Sequence, residues 1–168
     1  MTSFSSHHIR NICVFGGSSP RKEKEFLEST NLLSQVLAQR KIHLVYRRGR
    51  LGSLMGVSMA AFLGGSQVLG VVPKVLVKED IIGKTIGEKL QVSTMYDRMN
   101  MIFNHAEAFI VLLGGLGTLK EIFHISSWAQ LHIHHKPIGD LHCLNGFYDN
   151  LLSFLDQAVE QEFLTSPV

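Results

Sequence analysis

The sequence predicts an α/β domain of the Rossmann-like, doubly wound kind, a parallel sheet with helices on both faces. Three observations carry this expectation. Short apolar runs alternate with amphipathic stretches along the whole chain, the pattern of βαβ units. The runs are apolar at successive positions rather than at every second one, as in strands buried on both faces. Several end on glycine or proline, the punctuation of a tight turn.

Residues 11–15 (Asn-Ile-Cys-Val-Phe), closed by Gly16 and Gly17, predict the first strand. Phe26, Leu27, Leu33, Val36 and Leu37 recur at helical spacing and predict an amphipathic helix over 22–39. Residues 43–46 (His-Leu-Val-Tyr) read as the second strand. Residues 52–63, rich in small side chains and stopped by Gly64 and Gly65, read as a helix. A third strand over 67–72 is closed by Pro73, and the mixed stretch 74–92 receives no assignment. Then follow a helix over 95–105, a fourth strand over 108–112 and a helix over 118–131 with Leu119, Ile122, Phe123 and Ile125 on one side. A fifth strand over 138–141 and a helix over 148–161 complete the order. No repeat, low-complexity segment or boundary interrupts it. The expected organisation is one domain over 1–168, with 1–10 as a flexible tail.

Composition narrows the function classes. The chain has 168 residues, 45% of them apolar, enough for a substantial core. Sixteen Lys+Arg against fourteen Asp+Glu leave a net charge of +2, which is not the balance of a nucleic-acid binder. Cys13 and Cys143 cannot make a disulfide framework or a four-cysteine zinc site. No apolar run approaches the ~18 residues of a membrane span, and the N-terminus lacks the apolar core of a signal peptide. A soluble protein of the cytoplasm, with the nucleus left open, is expected.

In this architecture ligands sit at the carboxyl ends of the strands, which directs attention to the turns 16–22, 47–52 and 113–118. Residues 113–121 read Leu-Gly-Gly-Leu-Gly-Thr-Leu-Lys-Glu, between a buried strand and a helix. Three glycines let a ligand approach the backbone, and the first N–H groups of the helix suit a phosphate. Thr118 either caps that helix or bonds the phosphate, and Glu121 falls one turn in. On spacing alone, glycines serving only the turn remain an open alternative. Two other motifs do not stand. Residues 16–22 (Gly-Gly-Ser-Ser-Pro-Arg-Lys) are not G-x-G-x-x-G, and Tyr46 is followed by Arg47 and Arg48 rather than a ribose-binding acid. Gly83-Lys84-Thr85 lacks the P-loop's first glycine, because Lys78 occupies its place.

The run G-G-x-G-T-x-x-E at 114–121 resembles the centre of the P-G-G-x-G-T-x-x-E motif of the LONELY GUY proteins, cytokinin riboside 5′-monophosphate phosphoribohydrolases of plant type. The likeness extends from Cys13 onward. It takes in Phe15-Gly-Gly-Ser-Ser-Pro20, Leu44-Val-Tyr46, Val68-Leu-Gly-Val-Val-Pro-Lys74, Met95-Tyr-Asp-Arg98, Trp128-Ala-Gln-Leu131, Lys136-Pro-Ile-Gly139 and Gly146-Phe-Tyr148. The resemblance implies hydrolysis of the N-glycosidic bond of an N6-substituted adenosine 5′-monophosphate to free cytokinin base and ribose 5-phosphate. It implies Glu121 as the catalytic carboxylate and Arg98 as the catalytic arginine. It places the 5′-phosphate on Gly114, Gly115, Leu116, Gly117 and Thr118, with Asp80 and Ser127 as further substrate contacts. It also implies a homodimer and no metal or redox cofactor.

The chain departs from the family pattern in three places. Arg47 and Arg48 stand where the family's second turn has glycines, and Ser53 shifts the following Leu54-Met-Gly56 by one. Arginine at a positive φ costs roughly 1–2 kcal/mol, so strain and a poorer substrate fit are expected there, ahead of the other reading, three arginines near a phosphate. Leu113 replaces the motif proline, and Met99 the lysine after the catalytic arginine. Val168 ends the sequence where family members continue into another strand and helix, which predicts an open sheet edge. Two readings follow: a phosphoribohydrolase, and a non-catalytic homologue that binds nucleotide weakly or pairs with an intact relative.

Other features have plainer readings. His132, His134 and His135 predict a solvated turn rather than a metal cluster. Cys143 beside His142 would point to the opposite face of a strand. Cys13 reads as core packing, and Trp128 as packing or interface rather than a base-stacking platform.

Overall fold

A computed structural model describes residues 8–17, 24–47, 53–78, 86–140 and 146–165. The elements are β1 (Asn11–Phe15), α1 (Lys24–Gln39), β2 (His43–Arg47), α2 (Ser53–Leu63), β3 (Val68–Pro73), α3 (Lys74–Lys78), β4 (Glu88–Val92), α4 (Met95–His105), β5 (Ala108–Val111), α5 (Leu116–Gln130), β6 (Ile138–Asp140) and α6 (Asp149–Glu160). All strand pairs are parallel, in the order β4-β3-β2-β1-β5-β6. The chain builds outward from β1 to β4, then returns to add β5 and β6 on the other side. β1 and β5 therefore flank a topological switch point, where such sheets bind ligands.

The two-residue period of β1 divides the core. Ile12 and Val14 face one side, with Leu33 and Leu37 of α1 and Leu54, Val57 and Ala61 of α2. Cys13 and Phe15 face the other, with Met99 and Ile102 of α4 and Ile125 of α5. Phe15 and Phe109 stack across that face, centroids 5.7 Å apart. The central strands are covered on both sides, as their unbroken apolar runs predict. Cys13 is wholly buried, and Trp128 packs edge-on against Phe103 at 5.0 Å.

The unassigned stretch 74–92 holds the short α3 and β4, so the sheet has six strands among the described residues where the sequence predicts five. β4 lies on the edge. Glu88, Lys89 and Gln91 are exposed and only Val92 is buried, so it carries little of the apolar signal of a covered strand. α2 ends where Gly65 takes a φ of +89°, a backbone that glycine adopts without strain. α5 begins two residues before the expected Thr118. The expected solvated turn is corrected at His134, which is buried. Its Nε2 bonds the Ile125 carbonyl at 2.8 Å and its Nδ1 accepts from the Lys136 N–H at 3.0 Å. Both ring nitrogens thus serve the fold, while His132 and His135 are exposed.

Candidate active site

The glycine turn lies at the end of β5 beside the switch point. Gly17 donates to the Leu113 carbonyl at 2.8 Å and Leu112 to the Phe15 carbonyl at 2.8 Å, tying the first turn to the glycine turn. Leu113, in the place of the motif proline, is buried in the core and supplies one of those carbonyls. Gly115 is the N-cap of α5 and gives no side-chain bond to the helix. The first N–H groups of α5, which have no intrahelical acceptor, thus face the strand ends with the positive end of the helix dipole behind them.

Thr118 is the third residue of α5, not its cap, which corrects one of its two expected roles. It is 1% exposed, and its Oγ1 has no hydrogen-bond partner among the described residues. A Cβ on Gly114 would run into the Thr118 side chain, whereas one on Gly115 meets nothing within 4 Å. Gly114→Ala is therefore expected to cost about 1–3 kcal/mol by overpacking, and Gly115→Ala under about 1 kcal/mol. Urea midpoints of the two variants measure this. Equal stability would mean that Thr118 gives way freely.

One turn on, Glu121 points into the second face of the sheet and is 2% exposed. Its Oε1 lies 3.6 Å from Nη2 of Arg98 and 3.5 Å from Nη1 of Arg47. Arg98 comes from α4, whose N-terminus is fixed by a capping box. Asp97 N–H donates to Thr94 Oγ1 at 3.0 Å, and Thr94 N–H to Asp97 Oδ2 at 2.9 Å. Asp97 is thereby committed to its own helix end. Arg98, 6% exposed, reaches Glu121 across the shared face. Neither carboxylate oxygen of Glu121 nor Nε of Arg98 has a hydrogen-bond partner among the described residues. Buried polar groups usually find partners within the protein, and these three do not find one among the described residues.

The electrostatics follow from burial and proximity. Burial pushes the Glu121 carboxyl up, and Arg47, Arg98 and Lys120 only partly pull it back. Burial lowers Arg98, with Glu121 opposing. Cys13 below the site is pushed well up by burial and by the Glu121 charge, which keeps it a thiol.

The structure brings together Arg98, Glu121 and the turn carrying Gly114, Gly115, Leu116, Gly117 and Thr118. Leu116 is exposed at the helix start. Ser127 is not with them. It is exposed, its hydroxyl bonds the His124 carbonyl at 2.9 Å, and it lines a groove between α5 and α6 with Phe154 and Phe163. Met99 is buried in the core rather than turned to the strand ends. Asp80, Arg48, Gly83-Lys84-Thr85, His142 and Cys143 lie outside the described residues, as do the side chains of Phe26, Leu27, Ser53 and Lys78.

Arg47 is the member of the cluster that the sequence marks first of all as a departure. It ends β2, in register with Val71, and its φ is not positive, so the expected strain is absent at this position. Its side chain passes the end of β1, with Nη2 donating to the Gly16 carbonyl at 3.4 Å. Nη1 stands 2.8 Å from where a Cβ of Gly117 would be. The available signal was two arginines in place of glycines at a strand's carboxyl end.

Residues 55–168 match the family model described as "Possible lysine decarboxylase". The chain is 43% identical over 164 residues to a "Probable cytokinin riboside 5′-monophosphate phosphoribohydrolase" of Arabidopsis thaliana, covering 98% of this chain and 81% of that protein. It is 45% identical to a protein of the same printed name from Oryza sativa subsp. japonica, covering 94% of this chain and 62% of that one. A further Arabidopsis thaliana relative, named "Cytokinin riboside 5′-monophosphate phosphoribohydrolase", is 42% identical, with 97% and 75% covered. Among solved structures, the Moco carrier protein of Chlamydomonas reinhardtii superposes with a TM-score of 0.66 at 18% identity, covering 87% of this chain and 84% of that one. The molybdenum cofactor binding protein of Rippkaea orientalis gives 0.60 at 19%, with 87% and 86% covered. At that identity the likeness is one of fold.

Proposed function

This chain belongs to the family described as possible lysine decarboxylases, and on that footing we propose that it is a cytokinin riboside 5′-monophosphate phosphoribohydrolase. It hydrolyses the N-glycosidic bond of N6-substituted adenosine 5′-monophosphates, releasing the free base and ribose 5-phosphate. The naming of the relatives supports the substrate. The observation that carries the chemistry is the buried Glu121, held between two arginines one turn from a phosphate-suited helix start.

Glycosidic cleavage passes through a ribosyl cation, and a carboxylate beside the sugar stabilises it, orients the ribose hydroxyls or activates water. Decarboxylation leaves a carbanion instead, which needs an electron sink and is disfavoured beside a second carboxylate. In this reading Glu121 is the catalytic carboxylate, and Arg98 holds the nucleotide and favours the departing base. The N–H groups of residues 114–118 and the Thr118 hydroxyl receive the 5′-phosphate. Asp80 and Ser127 contribute further substrate contacts, Ser127 from outside the Glu121 cluster. The protein acts as a homodimer in the cytoplasm of a plant, without a metal or redox cofactor. No helix among the described residues is long and apolar enough to cross a membrane.

One observation favours a second reading. The Arg47 guanidinium is ion-paired with Glu121, which suits a homologue that binds nucleotide without turning it over. Incubation with isopentenyladenosine 5′-monophosphate, followed by chromatography, separates the two. Release of isopentenyladenine and ribose 5-phosphate is the expected result. A folded protein that releases neither would leave the binding reading.

A further inference from the structure

We propose that Arg47 is a displaceable occupant of the substrate site: its guanidinium fills the ground between Glu121 and the glycine turn until a ribose 5-phosphate displaces it. The inference rests on the reading of this site as a ribose 5-phosphate site.

A glycine at this place would leave the ground open. Here the arginine is rooted in the sheet at the end of β2 and reaches over β1 to α5. Its two close approaches are made by one nitrogen, Nη1, on the ground that the proposed reading gives to ribose 5-phosphate. One is the Glu121 carboxylate at 3.5 Å. The other is Gly117, in the first turn of α5, where the guanidinium stands within contact of the glycine's open side. Arg47 and ribose cannot both lie there.

The contacts are also weak enough to yield. The ion pair at 3.5 Å and the bond to the Gly16 carbonyl at 3.4 Å are both long, whereas good charge-assisted bonds are about 2.7–2.9 Å. The guanidinium sits before a helix N-terminus, where a cation is disfavoured and an anion favoured. A phosphate is favoured where the guanidinium is disfavoured, so the substrate competes for this ground on better terms. The side chain is 16% exposed and sits at the rim of the site, whereas Arg98 is enclosed by α4 and the sheet. Substrate phosphate therefore releases Glu121 from one of its two arginines as the ribose arrives.

The test uses the full chain, its Arg47→Gly variant and its Arg47→Ala variant, the alanine guarding against a glycine-loosened strand. Calorimetry with ribose 5-phosphate reads binding without turnover, and kinetics with isopentenyladenosine 5′-monophosphate read KM. Both variants are expected to bind ribose 5-phosphate about tenfold tighter, with KM lowered by a similar factor. Unchanged or weaker binding in both variants would overturn the proposal and make Arg47 a bystander or a phosphate ligand. Tighter binding with no turnover in any of the three proteins would leave the occupant role standing and remove the hydrolase reading. Turnover in all three with KM unchanged would do the reverse.

Discussion

Replacing Glu121 by glutamine is expected to lower kcat about 10³-fold, ~4 kcal/mol of transition-state stabilisation, with the far-UV spectrum unchanged. The amide keeps the shape of the side chain, so the packing of α5 against the sheet survives. What is lost is the negative charge beside the ribosyl cation. A fall in kcat without a matching rise in KM is the signature of an interaction made in the transition state. Product release within a few-fold of the parent protein would remove Glu121 from the mechanism.

The pH profile gives the same residue a second reading. Burial holds the Glu121 carboxyl above its ordinary value even with Arg47, Arg98 and Lys120 pulling down. The carboxylate is the working form, so activity falls as pH drops through that raised value. The acid limb of kcat/KM therefore stands on the neutral side of the usual carboxylate range. Removing Arg47 takes away one of the cations that favour the charged form, and the limb moves to still higher pH. Stability runs the opposite way from the common carboxylate case. A folded pKa above the unfolded one gives stability that is full below the unfolded value and is lost as pH rises through the folded one. The charged site thus opposes folding at neutral pH, and the apolar clusters on both faces of the sheet offset it.

The strands that the sequence displays are those with two covered faces. β1 and β5 are apolar at nearly every position because helices pack on both sides. β4 escaped because its position at the sheet edge permits Glu88, Lys89 and Gln91 to face solvent. The site divides in the same way. The glycine turn and Glu121 are local in sequence, so their spacing exposes them. Arg98 is 23 positions away from Glu121, and its meeting with that carboxylate depends on α4 and α5 sharing one face of the sheet. His134 sits among polar neighbours in sequence, yet its ring turns inward onto Phe103, centroids 5.1 Å apart. Arg47 was the hardest to place. Its residue type signals a departure, but only the alignment of β2 beside β1 shows that the side chain reaches α5.

Arg98→Ala is expected to lower kcat/KM about 10²–10³-fold, and Arg98→Lys to recover only part of that loss. The guanidinium is fixed by burial on α4, whose capping box sets the helix start. Nη2 faces Glu121 while Nε has no hydrogen-bond partner among the described residues, so one group can address the carboxylate and a nucleotide together. Lysine restores the charge but not the planar fork, and its ammonium costs more to desolvate. Removing the cation also leaves Glu121 with only Arg47 and Lys120 to oppose its burial, so the acid limb in Arg98→Ala moves to higher pH, as in the Arg47 variants. The two arginines part company in KM. Loss of Arg47 lowers it because an occupant leaves, and loss of Arg98 raises it because a substrate contact leaves. Opposite signs from two cations that touch the same carboxylate oxygen cannot come from charge alone. If both substitutions moved KM in the same direction, the two arginines would be acting as one electrostatic pair, and the separate roles given to them would fall.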